Sequence, residues 1–246
     1  MHGHSFIVTT SWDDGHPADL RLVELLSKHH IAATFYVPCR NCEGRDVMDM
    51  RDVRSIAKVF EIGAHTIDHV DLTKVSSIEA KHQIESGKAR LEDALGTPVL
   101  GFCYPRGGHT RSIRNLTQKA GFLYARTTAN LHLNAGSNRF ALPTTLQFFP
   151  HSRSTYLRNF ISGGAYRTRV VPFFSAVAVE RIGDRVKRLA DFCVAQGTYF
   201  HLWGHSWEIE ENGLWGELEA ALCYISSIAH EQATNLEVTR RLISDS

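Results

Sequence analysis

No apolar run in the 246-residue chain is long enough to cross a bilayer, which excludes a helical membrane span. The opening stretch MHGHSFIVTTSWDD also lacks a basic region followed by a long apolar one, so an unexported, cytoplasmic protein is expected. Charge of one sign is missing too. The 27 Lys and Arg nearly cancel the 26 Asp and Glu, leaving a formal net charge of +1 and no strong field to draw nucleic acid or a membrane surface. A small neutral or mixed-charge ligand is the expected partner. Cysteine is scarce and odd in number. The 5 residues at positions 39, 42, 103, 193 and 223 do not make a disulfide framework and suit a reducing compartment. There is no linker, internal repeat or low-complexity tract, so the 43% apolar content is read as one domain over residues 1–246. What is abundant is histidine, 14 in all, the common metal ligand and the side chain that titrates near neutrality.

Short apolar runs alternate with amphipathic stretches from end to end, the pattern of repeated βα units around a parallel sheet or barrel. Strands are expected at 5–11, 32–38, 60–66, 99–105, 123–128, 140–149 and 198–206. Helices are expected at 17–29, 50–58, 76–95, 109–120, 155–162, 177–196 and 214–230, with Pro17 suited to the first helical turn. The helix near 76 reads as having an incomplete capping box, because Ala80 rather than Glu stands three residues after Ser77. Seven such units predict a closed α/β barrel, with a doubly wound open sheet as the alternative.

In such folds the strand bodies are apolar and function collects where the βα loops begin. The polar residues at strand ends are Asp13, Asp14 and His16; His65 and His69; Tyr104-Pro105-Arg106-Gly107; and His205 to Glu208. His65 and His69, four apart in GAHTIDH, can aim two imidazoles at one point. A carboxylate from another strand end would complete a three-ligand set with an open position, as catalytic zinc sites have. The H-x-x-E-H reading of HTIDH requires a helix, and this segment follows a strand and Gly63. A two-histidine, one-carboxylate iron site prefers a different ligand order. Cys39 and Cys42 form a lone C-x-x-C and are read as ordinary loop thiols.

Taken together, TSWDDG (10–15), TFYVP (34–38) and HTIDH (65–69) resemble motifs of the NodB-type polysaccharide deacetylases, carbohydrate esterase family four, in order and at similar intervals over the first 110 residues. The resemblance implies a deformed (β/α)7-type barrel and a divalent metal, zinc in the first instance with cobalt or nickel as options, held by Asp14, His65 and His69. It further implies Asp13 as general base and His205, in HLWGH, as general acid. The family's third motif, R-x-P-[FY], is replaced here by YPRG, similar to a subgroup with Y-P-x-G. That puts Tyr104 and Arg106 at the catalytic position and leaves open whether Arg106 orients Asp13. The fourth motif, an Asp that tunes the acid, has no counterpart in 139–153, and Glu208 is the residue that could replace it. His201 shares a strand face with His205 and is the other candidate acid.

The implied activity is removal of an N-acyl group from an amino sugar, a glycan precursor or a related small amide. Two alternatives stay open: a carbohydrate-binding module that holds a metal without turnover, and a hydrolase of a linear non-sugar amide. In this reading Tyr104 or Arg106 supplies a backbone N–H to the oxyanion, since Pro105 has none.

Overall fold

Eight short strands alternate with helices through residues 6–244, the part of the chain described by the computed structural model. The strands are β1 (Ile7–Asp13), β2 (Ala33–Val37), β3 (Glu61–Ala64), β4 (Gly101–Cys103), β5 (Tyr124–Arg126), β6 (Leu146–Gln147), β7 (Tyr199–Gly204) and β8 (Glu231–Gln232). The helices are α1 (Asp19–Lys28), α2 (Met50–Ile56), α3 (Ser77–Leu95), α4 (Arg111–Lys119), α5 (Arg153–Ser162), α6 (Tyr166–Val177), α7 (Ile182–Gln196), α8 (Ser206–Glu211), α9 (Trp215–Ile228) and α10 (Asn235–Ser244). All strand pairings are parallel, in the order β5-β4-β3-β2-β1-β7-β6, and β8 adds to β1. One curled parallel sheet flanked by helices agrees with the barrel predicted from the strand pattern and is the deformed (β/α)7-type barrel that the resemblance implies. Among the described residues, no helix is long and apolar enough to cross a membrane.

Parallel pairing leaves both faces of the strands covered, and β1, β2, β4, β5 and β7 are buried at nearly every position. The apolar core lies between sheet and helices, where Val8, Trp12 and Phe35 pack with Leu22, Leu26, Leu189 and Leu222. The inward face is polar. Thr9, Ser11 and Asp13 share one side of β1 by strand parity. Thr9 and Ser11 meet the ring nitrogens of His201 from β7, at 2.5 and 2.8 Å. Lower in the barrel, Tyr36 donates to Tyr124, and Tyr124 donates to the buried Glu61 carboxylate. The Leu236 N–H of α10 binds that same carboxylate and fixes α10 across the barrel's N-terminal end.

Several expected boundaries shift for local reasons. The expected strand 140–149 is only two residues long, because residues 139–145 are spent closing the gap between β5 and β6. Ala125 N–H donates to Arg139, Leu142 N–H to Ala125, and Thr145 N–H to His201. Pro17 precedes the first helix by two residues instead of opening it. The cap of α3 is Ser76, whose hydroxyl accepts from Glu79 N–H, so the Ser-x-x-Glu spacing is present one residue earlier than expected. The expected helix 177–196 begins at Ile182, and α6, α8, α10 and β8 were not expected at all.

Candidate metal and catalytic centre

β1 ends on Asp13, and the chain leaves it through two consecutive left-handed residues, Asp14 at φ 77° and Gly15 at φ 59°. Asp tolerates that region better than most side chains. At Gly15 a Cβ would also stand 2.8 Å from Val37 Cγ1, so no larger residue fits there without movement. This turn points Asp13 into the barrel and Asp14 toward the mouth, a division that strand alternation alone begins.

His65 and His69 follow β3 in a compact loop, not a helix. Thr66 and His69 both take positive φ, 65° and 57°. Such strain concentrates where a loop must present side chains in a fixed direction. Here α3 presses on the loop through Gly87, where a Cβ would fall 2.7 Å from the Thr66 carbonyl carbon. Asp14 Oδ1 lies 3.6 Å from His65 Nε2 and 3.1 Å from His69 Nε2. One ligand atom from each of the three residues falls within 4.8 Å of the others, and all three residues are buried. Asp14 Oδ1 is buried and completes no hydrogen bond, as expected of a ligand atom shaped for a cation. Burial alone would raise the Asp14 carboxyl; the facing imidazoles of His65, His69 and His205 outweigh it and hold the group below the ordinary carboxylate range.

The tautomer of His65 follows from its partner. Nδ1 sits 2.8 Å from the Cys103 carbonyl, which can only accept, so Nδ1 donates and Nε2 keeps its lone pair. Trp207 Nε1 donates to Asp14 Oδ2 at 2.8 Å and orients the carboxylate from behind. A second set, Asp13, His65 and Cys103, is also close enough to share an ion. It is the poorer one, because burial pushes the Cys103 thiol well up and Asp13 is already paired.

Asp13 pairs with Arg126, and both side chains are almost wholly buried. Burial opposes the guanidinium's charge, yet the Asp13 carboxylate outweighs it and raises Arg126 above the ordinary arginine value. Arg126 also donates to the Thr127 carbonyl and lies over the Tyr36 and Trp203 rings. It was missed in the sequence, although a lone charge inside the apolar strand LYARTT is the signal that marks it. Arg106 is placed elsewhere: its exposed guanidinium binds Glu43 Oε1 at 2.8 Å. Tyr104 is fully buried, donates its hydroxyl to the Phe140 carbonyl, and spends its N–H on the Arg126 carbonyl. The oxyanion role considered for the Tyr104 amide is therefore corrected, since that N–H is already part of the sheet.

On the opposite side of the mouth, His205 Nε2 lies 3.9 Å from Asp14 Oδ2 and Nδ1 lies 2.7 Å from Glu208 Oε2. Burial would lower His205, but the hydrogen bond and charge of Glu208 and the charge of Asp14 prevail, raising it to about 9. Glu208 is itself fixed by Gln147, which donates to it at 3.0 Å. His201 is fully buried in the barrel, with Nδ1 against Thr9 and Tyr199 hydroxyls and Nε2 against Ser11. Burial, helped by Arg126, pulls it well below the ordinary histidine value. Of the two candidate acids, only His205 stands at the mouth. Asp19, at the start of α1, is also wholly buried, and burial pushes its carboxyl well up.

The chain is thus a curled parallel barrel with an Asp-His-His cluster at its C-terminal mouth, an adjacent buried Asp-Arg pair and a facing His-Glu pair. Residues 3–125 match the family model described as polysaccharide deacetylase, and the chain belongs to that family. It is similar to the uncharacterized protein YlxY of Bacillus subtilis (strain 168), 25% identical over 111 residues, which is 44% of this chain and 33% of YlxY. The aligned part thus spans only about a third of that relative's length. Among solved structures, PuuE allantoinase has a TM-score of 0.71 at 14% identity, covering 99% of this chain and 92% of the other. The chitin deacetylase of the fungal pathogen Colletotrichum lindemuthianum has a TM-score of 0.64 at 14% identity, covering 94% and 86%. At such identities the likeness is one of fold.

Proposed function

We propose that this protein is a metal-dependent hydrolase that removes an N-acyl group, acetate in the simplest case, from an amino sugar or glycan precursor. The observation that carries the reading is the convergence, at one barrel mouth, of a three-ligand set with a base on one side and an acid on the other. Asp14, His65 and His69 would hold the cation. Two imidazoles and one carboxylate suit zinc, with cobalt and nickel close behind. A bound cation of this kind supplies Lewis acidity toward water and the amide carbonyl.

The remaining steps belong to the chain's own groups. Asp13, clamped by Arg126, takes the proton of the attacking water, a contribution typically worth about two to four powers of ten in rate. The clamp holds the carboxylate in place inside the barrel and fixes the direction of its free lone pairs. His205, held protonated by Glu208, gives its proton to the departing nitrogen as the tetrahedral carbon collapses. Base and acid have separate partners, a guanidinium for Asp13 and a carboxylate for His205, and the latter helps raise His205 to about 9. A binding module without turnover would need neither partner, which argues against that alternative.

The test is acetate release from N-acetyl sugars, nucleotide-linked amino sugars and small linear amides, alongside metal analysis. Wild type is expected to hold close to one divalent cation per chain and to release acetate, and Asp13→Asn to lose turnover while keeping the metal. Unchanged metal content in His65→Ala would remove the proposed ligand set. Full activity in Asp13→Asn would remove the base.

A further inference from the structure

We infer that Glu43, carried by the CRNCEG loop (39–44) and held by Arg106, is a positioning residue that orients His69 as a metal ligand. The inference rests on the metal centre proposed above and concerns a residue and a loop that the reaction as described does not use.

The loop is fastened to the ligand loop by its backbone. Cys39 and Arg40 N–H groups both donate to the Ile67 carbonyl, at 3.0 and 2.8 Å, and Cys42 N–H donates to the Asp68 carbonyl at 3.0 Å. The Arg40 guanidinium pairs with Asp68 at 2.7 Å, and the Cys42 thiol donates to the His69 carbonyl at 3.7 Å. Asn41 Oδ1 then accepts from Glu43 N–H at 2.8 Å, an Asx turn that sets where Glu43 leaves the backbone. This accounts for the two cysteines of the C-x-x-C spacing: they lie in a strap, and no disulfide joins them.

Glu43 Oε1 lies 3.3 Å from His69 Nδ1, and Arg106 Nη2 and Nε reach the same oxygen at 2.8 and 3.2 Å. Nδ1 of His69 is buried and completes no hydrogen bond. A neutral imidazole carries one N–H. If Nε2, which faces Asp14, keeps its lone pair for a cation, the proton must sit on Nδ1, and Glu43 Oε1 is the acceptor placed to receive it. His65 solves the same problem with the Cys103 carbonyl. His69 solves it with a carboxylate, which raises ligand basicity more than a neutral carbonyl does. Arg106 takes a left-handed backbone, φ 58°, and its exposed side chain reaches across to hold Glu43. On this account the YPRG turn acts on the centre through Glu43 and His69 and leaves Asp13 to Arg126.

The experiment uses metal-free full-length protein and zinc(II) itself, with affinity read by competition against a chromophoric chelator and cobalt(II) absorption as a second signal. Glu43→Gln is expected to weaken zinc by about 10- to 100-fold, the range typical of lost outer-shell partners. Glu43→Asp is expected to recover part of that loss, and Arg106→Gln to give a smaller loss of the same sign with an altered cobalt spectrum. Thermal unfolding of the metal-free variants is expected to match wild type, because Glu43 is partly exposed and in a loop. Zinc affinity within two-fold of wild type in Glu43→Gln overturns the inference and leaves the ligand set standing. Absence of zinc binding in wild type overturns both.

Discussion

Removing Arg126 separates the barrel's structural demands from its chemistry. The Asp13–Arg126 pair has side-chain exposures of 3% and 0%, so neither charge can recover solvation from water when its partner is deleted. Breaking a pair of this kind costs about 3–5 kcal/mol, most of it the penalty of stranding the surviving charge. For a chain of this size each kcal/mol moves the midpoint by about 2–4 °C, so Arg126→Met should lower Tm by about 6–20 °C. Asp13→Asn should cost a comparable amount, because it strands the guanidinium instead. The double variant Asp13→Asn/Arg126→Met strands nothing. Its loss should fall short of the summed single losses by about 0.5–3 kcal/mol, the usual range for contacting groups. It should still be less stable than wild type, since Arg126 also packs over Tyr36 and Trp203 and binds the Thr127 carbonyl. Urea unfolding of all four proteins in excess chelator keeps the cation out of the comparison. Strict additivity of the two single losses, or a loss below about 1 kcal/mol in Arg126→Met, would refute the buried-pair account.

Glu208→Gln should lower the pKa of His205 from about 9 and move the alkaline limb of kcat/KM to lower pH. The sign for stability follows: with the folded value above the ordinary 6.5, wild type gains stability fully below that value and loses it as pH rises through about 9, and Glu208→Gln should show a weaker decline over the same window in pH-dependent unfolding. His201→Gln should cost about 1–3 kcal/mol through unsatisfied hydroxyls while sparing kcat per folded molecule; a hundredfold fall in kcat at unchanged stability would make His201 a participant. Gly87→Ala gains about 1 kcal/mol of helix propensity and should still lower Tm and zinc affinity, because its Cβ meets the Thr66 and Ile67 backbone at 2.7 and 2.9 Å; equal zinc affinity in calorimetry would show that α3 does not set the ligand loop.

What could be read in the sequence was local. Asp13 and Asp14 end an apolar run, His65 and His69 stand four apart after another, and His205 follows a third, so βα periodicity alone carries them to one barrel mouth. The facing of His205 and Glu208 was also within reach, because three residues at the start of a helix place both side chains on one side. Two kinds of feature were not local. Glu43 lies in a loop whose course is decided by hydrogen bonds to Ile67 and Asp68, residues more than twenty positions on. The short β6 was over-read because FALPTTLQFF has strand composition, yet most of it is used to bridge β5 and β6.

The Asp13–Arg126 contact shows why a buried charge partner also escapes a linear reading. β1 and β5 are separated by β2, β3 and β4, four inter-strand steps in the sheet order. At about 4.8 Å per step a flat sheet would hold them about 19 Å apart, well beyond any arginine's reach. The pair forms because the sheet curls, bringing its β5 edge round to face the interior of β1. The partner of Asp13 is thus specified by barrel closure, and closure depends on residues 139–145 bridging the sheet's two edges. An arginine inside an apolar strand is legible as an anomaly. Its target becomes legible only once the curvature is known, and the same closure that supplies the target removes the water which would otherwise solvate both charges.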